Sequence, residues 1–137
     1  MRIWVPWDSP IIRRRIRDRV RIVSAIGLHD ESTGGATDPI SAALIIADKT
    51  DVRRSRVREK NKATFDKHDR VNYAVERSAM EIDPENRTAV LNIVIDTTIC
   101  PVMEYFEIFL TRMVLCRQAA QFLNLQFGAD YQRYTAC

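Results

Sequence analysis

The stretch that most restricts this chain is "VMEYFEIFLTRMVLCRQAAQFLN", residues 102–124, which follows directly on Pro101. A proline just ahead of an unbroken run free of Gly and Pro predicts a long helix. Met103, Phe106, Phe109, Leu110, Met113 and Ala120 offer it a broad apolar stripe, while charges are few. Such a helix needs a large surface to cover it. The segment before it supplies one: "RVNYAVERSAMEID" alternates at Val71, Tyr73 and Val75, "DPEN" provides turn residues, and "RTAVLNIVID" is rich in β-branched side chains. These runs predict a β-hairpin laid against the long helix, and "LQFGADYQ" adds a short final strand.

The first half reads as helical. In "DSPIIRRRIRDRVRIVSAIGLHD", Ser9 and Pro10 form a helix start, and Ile12, Ile16, Val20, Val23 and Ile26 recur at helical spacing as a face to be buried. A Gly/Ser/Thr/Asp loop, "DESTGGATD", follows. Asp38-Pro39 then opens a second helix, "PISAALIIADKTDVRRSR". Leu44, Asp48, Val52 and Ser55 follow one another along it, so Asp48 projects from the margin of the buried face. The expectation is an α+β chain: a mainly helical part over 10–66, a β-hairpin and long helix over 67–128, and unassigned ends at 1–9 and 129–137.

With 137 residues, 46% hydrophobic and 28% charged, the chain has material for a real core and does not read as disordered. It has no run near the roughly 18 apolar residues that span a bilayer. The opening "MRIWVPWDSP" lacks the charge-then-apolar order of a signal peptide. Cys100, Cys116 and Cys137 are odd in number and without CxxC spacing, the pattern of free thiols in a reducing cytoplasm. Charge is unevenly placed. Residues 1–70 carry 16 Lys and Arg against 10 Asp and Glu, whereas residues 71–137 carry 5 against 8. A basic half attracts phosphate groups or an acidic partner.

Two His-Asp dipeptides, His29-Asp30 and His68-Asp69, contain both histidines of the chain. Imidazole and carboxylate are common ligands for divalent metals. His29 closes the first helix, and the loop returns the chain to the helix bearing Asp48, so both residues can face one cleft. Lys49 with Arg53 or Arg54 then stands ready for phosphate oxygens. His68-Asp69 lies on another segment and reads as a structural turn. No GxSxG nucleophile is present, and "STGG" lacks the Lys-Ser/Thr of a phosphate loop.

The stretch "VRIVSAIGLHDESTGGATDPISAALIIADKTDVRRSRVR" resembles the second half of bacterial HD-domain metal-dependent phosphohydrolases. The resemblance covers about residues 16–127, and its most specific pieces are "ALIIADKTDVRRSRVR" and "HDRVNYAV". It implies a phosphate mono- or diester hydrolase using Mn, Mg, Fe or Ni. Asp48 matches the final Asp of the family signature and His29 an accessory histidine, with Asp30 as a third metal ligand. Asp48 and Lys49 are then the catalytic pair, and Arg53 and Arg54 bind phosphate of a phosphorylated small molecule or nucleotide. The signature's first His and its His-Asp pair have no counterpart here. The expectation is therefore an incomplete site, belonging to a truncated or inactive homologue or completed by another chain. The alternatives are a nucleotide- or nucleic-acid-binding module using Arg-rich residues 13–21 and 53–62, and an interaction module that forms a homodimer through the long helix.

Overall fold

The computed structural model describes residues 9–30, 34–58 and 62–133. The readings on the opening "MRIWVPWD", on Glu31–Thr33 of the first loop and on Cys137 lie outside them. Among these residues four α-helices and one three-stranded sheet make an α+β fold: α1 (Pro10–Gly27), α2 (Pro39–Thr50), α3 (Lys67–Ala74), β1 (Val75–Asp83), β2 (Thr88–Ile95), α4 (Val102–Phe122) and β3 (Gln126–Arg133). Among the described residues no helix is long and apolar enough to cross a membrane.

The hairpin forms where the turn chemistry places it. Asp83 Oδ1 accepts from the backbone N–H groups of Glu85 (2.9 Å) and Asn86 (3.0 Å), and Arg87 takes a left-handed conformation to re-enter the sheet. β1 and β2 pair antiparallel from Asp83↔Thr88 back to Val75↔Ile95, with an irregularity between Val75 and Arg77. β2 lies in the centre and alternates strictly, burying Ala89, Leu91, Ile93 and Ile95. β3 returns through α4 to pair parallel with β2, from Thr88↔Gln126 to Ile95↔Arg133. The final strand is thus eight residues long, close to the stretch "LQFGADYQ" read as strand, and runs past residue 128 where the second part was expected to end.

α4 covers the sheet and also receives α2. Tyr105, Phe109 and Met113 pack with Leu91, Ile93 and Ile95, while Leu115, Ala119 and Ala120 pack with Ala42, Ile45 and Ile46 of α2. The helical first part and the hairpin part therefore share one helix as their common wall. The stripe expected on α4 is turned from its observed position: Phe109, Met113 and Ala120 are buried, but Met103 and Leu110 are exposed, and Tyr105, Cys116 and Ala119 take the inner face. Apolar residues surround this helix, so spacing alone did not select the face.

Three further expectations are corrected. The second helix ends at Thr50 instead of running on through Arg56. Thr50 Oγ1 turns back to donate to the Ile46 carbonyl at 2.6 Å, and Val52 is drawn in to complete burial while Arg53 is extended. Residues 67–74 are helix and not strand. Asp66 caps them by accepting from the Asp69 N–H at 2.7 Å, and Val71, Ala74 and Val75 are buried at helical spacing. His68-Asp69 thus sits in a first helical turn, with the His68 ring edge-on to Phe109. Finally, the apolar face of α1 is not buried: Ile16, Val20, Val23 and Ile26 are all more than half exposed, whereas Ala25 is buried.

Candidate functional site

α2 begins with a closed capping box. Asp38 Oδ1 accepts from the Ile40 (2.8 Å) and Ser41 (3.3 Å) N–H groups, and Ser41 Oγ accepts from the Asp38 N–H at 3.1 Å. The cap sets the helix phase so that Ser41, Ala42, Ile45, Ile46 and Lys49 face inward. Asp48 is one step round from Lys49 and falls on the margin, its side chain one-third exposed. Lys49 is the unusual member. Its side chain is only 6% exposed, and its ammonium rests on Asp48 Oδ2 at 2.9 Å. A buried ammonium needs such a partner, because desolvation otherwise disfavours its charged form.

The Asp48 carboxyl responds to opposing influences. Burial pushes it up, but the bond from Lys49 and the positive charges of Lys49, His29 and Arg56 outweigh that and hold it below the usual carboxylate range. His29 is therefore within electrostatic reach of Asp48. A carboxyl lowered on folding adds stability above its ordinary pKa of 3.8, and that share is lost as pH falls through the lowered value. Asp48→Asn is expected to remove this share, so its stability should fall less than that of the wild type in urea unfolding over an acid pH series below about 4.

His29 follows the C-terminal turn of α1, and its Nδ1 lies on the Ile26 carbonyl. A carbonyl only accepts, so in the neutral ring Nδ1 carries the proton and Nε2 keeps the lone pair. The loop behind His29 is pinned by the Gly35 N–H, which donates to the Leu28 carbonyl at 3.3 Å. Gly34 makes this possible: a Cβ there would collide with the Asp30 carbonyl oxygen and lie 3.0 Å from Leu115 Cδ2. Asp30 itself is exposed. Among the described residues no three His, Cys, Asp or Glu side chains gather into a set that could hold a metal ion, so Asp30 does not join Asp48 and His29.

The basic residues divide. Arg53 is exposed and paired with Asp51 at 2.7 Å. Arg54 is turned away, donating to the Tyr73 carbonyl at 2.8 Å, pairing with Glu76 and lying 4.4 Å over the Tyr73 ring. Arg56 also pairs with Asp51, at 3.2 Å, and it is the arginine whose charge reaches Asp48. Helical extrapolation beyond Thr50 favoured Arg53 and Arg54 because it missed the change of direction there. Cys116 of α4 is the other neighbour the sequence did not reveal. It lies within electrostatic reach of Lys49, Arg112 and Asp48, and burial pushes its thiol up to about 12, so it is inert packing beside the pair. Cys100 is likewise buried, its thiol pushed up to about 12 by burial and by Glu104.

No family model, curated protein or solved structure matches this chain.

Proposed function

We propose that the corner between α1 and α2 is a weak divalent-cation and phosphate site, and that the chain handles phosphate esters as one part of an HD-type phosphohydrolase site. The observation that carries this is the Asp48 carboxylate, kept ionised by Lys49 and within charge range of His29 and Arg56. The donor set suits a loosely held, water-rich ion. Asp48 supplies oxygen, with Oδ2 already shared with Lys49, and His29 supplies Nε2. Mg²⁺ and Mn²⁺ retain several waters and accept such sparse protein ligation. A bound ion would polarise a phosphoryl oxygen and acidify a bound water.

The residues of this chain have simpler tasks in that reading. Lys49 positions Asp48 and keeps it charged. The Ile26 carbonyl orients His29, as an outer partner orients a metal-binding imidazole. Arg56 and Arg53, both at the surface, present guanidinium groups to phosphate. With two donors among the described residues, full activity calls for ligands beyond Asp48 and His29.

The test is a Mn²⁺ titration followed by electron paramagnetic resonance. The wild type is expected to bind weakly, and Asp48→Ala to weaken binding by about tenfold or more. Absence of binding in the wild type, or binding indifferent to Asp48→Ala, overturns the proposal.

A further inference from the structure

The outward face of α1 is used by neither the fold nor the phosphate site. Val20 is 59% and Val23 69% exposed, and Ile16 and Ile26 stand beside them on the same side of the helix. Ala25, which is buried, points elsewhere. Contiguous apolar side chains with a polar rim mark an interaction surface rather than ordinary surface scatter. The rim is strongly basic. Arg13, Arg14, Arg15, Arg17, Arg19 and Arg21 share this helix with a single acid, Asp18, and all seven are exposed. At 100° per residue, Arg15 borders one side of the stripe, Arg13 and Arg17 border the other, and Arg19 falls between Ile26 and Val23.

We propose that this face docks an amphipathic helix of a different chain, one that carries acidic side chains on both flanks of an apolar stripe. Charge selects the occupant. A second copy of α1 would set six arginines against six, a like-charge contact that opposes pairing. An acidic-flanked helix places a carboxylate opposite each arginine row, as complementary flanking charges do in helix pairs. The composition of the stripe separates a protein from a lipid surface. Helices that lie in a bilayer interface anchor through Trp, Phe or Leu, and "PIIRRRIRDRVRIVSAIG" has none of them. Its stripe is entirely Ile and Val. These β-branched side chains are already stiff in a helix and lose little freedom on packing into a facing groove. The inference does not depend on the phosphate site.

The full chain is titrated by fluorescence anisotropy against two synthetic helical peptides. Both carry Leu at the heptad core positions; one has Glu and the other Lys at the flanking positions. The Glu peptide is expected to bind at least about tenfold more tightly than its Lys twin, and binding should weaken with salt. Val20→Asp with Val23→Asp should reduce affinity for the Glu peptide by about tenfold or more. Both positions face solvent, so the far-ultraviolet circular dichroism of this variant should match the wild type. Failure of the Glu peptide to bind, equal binding of the twins, or binding unaffected by the double variant overturns the proposal. Tighter capture by phosphatidylserine vesicles than by the Glu peptide overturns it in favour of a lipid surface. A dimer in sedimentation that the double variant abolishes overturns it in favour of a second copy.

Discussion

Phe109→Ala is expected to lower the free energy of unfolding by about 3–5 kcal/mol, the range for emptying a fully buried aromatic site. Phe109 has no exposed surface and stands where α4 meets the sheet and α3. Its ring lies 5.0 Å from that of Tyr105 and edge-on to His68, and the Arg112 guanidinium sits 4.7 Å from its centroid. Neighbours on α3, on α4 itself and in the sheet cannot all collapse into the space, so most of the cavity remains. Against a total stability of about 5–15 kcal/mol for a domain, this loss is large. The urea midpoint should fall sharply with little change in slope. Leu110→Ala, one residue on, is the control. Leu110 is exposed, and its removal should change stability by no more than about 0.5 kcal/mol. Equal effects of the two substitutions would mean that α4 is rotated from the orientation described.

Gly34→Ala is expected to cost about 1–3 kcal/mol, as overpacking a tight site does. The reason lies in one close approach. The added methyl meets the Asp30 carbonyl oxygen, a backbone atom with no freedom to swing aside, and presses on Leu115 of α4. Relief requires the loop to move, and with it the Gly35–Leu28 hydrogen bond that holds the end of α1. His29 belongs to that loop, so Gly34→Ala should also weaken Mn²⁺ binding in the titration above, although Gly34 supplies no donor. Gly35→Ala is the matched control, since a Cβ at Gly35 meets nothing within 4 Å. Comparable destabilisation by both changes would assign the effect to glycine composition in the loop, not to the collision.

The positions of the proposed site residues follow from local sequence pattern only unevenly. Asp48 falls on the margin of α2 because Asp38-Pro39 fixes where that helix starts, and everything within three turns follows from that phase. His29 comes within electrostatic reach of Asp48 because α1 and α2, consecutive helices joined by a short loop, pack on one another. Lys49 was read as free for phosphate, yet it is buried and holds Asp48; its place on the inner face is visible only once α4 is known to cover it. Arg54 was lost to the site for a similar reason. Its partners, Tyr73 and Glu76, are 19 and 22 residues further on, beyond the reach of any local pattern.

The helix starts at Ser9 and Asp38 and the Asp83 turn were settled by the chain alone, because each rests on interactions between residues no more than a few positions apart. Tertiary structure alone decided which side of α4 is inside, that Thr50 ends α2, that residues 67–74 coil instead of extending, and that α1 leaves its Ile and Val stripe open to solvent. An apolar stripe states that a surface favours burial. Whether it is buried depends on a covering element that arrives from elsewhere in the chain, and for α1 none does among the described residues.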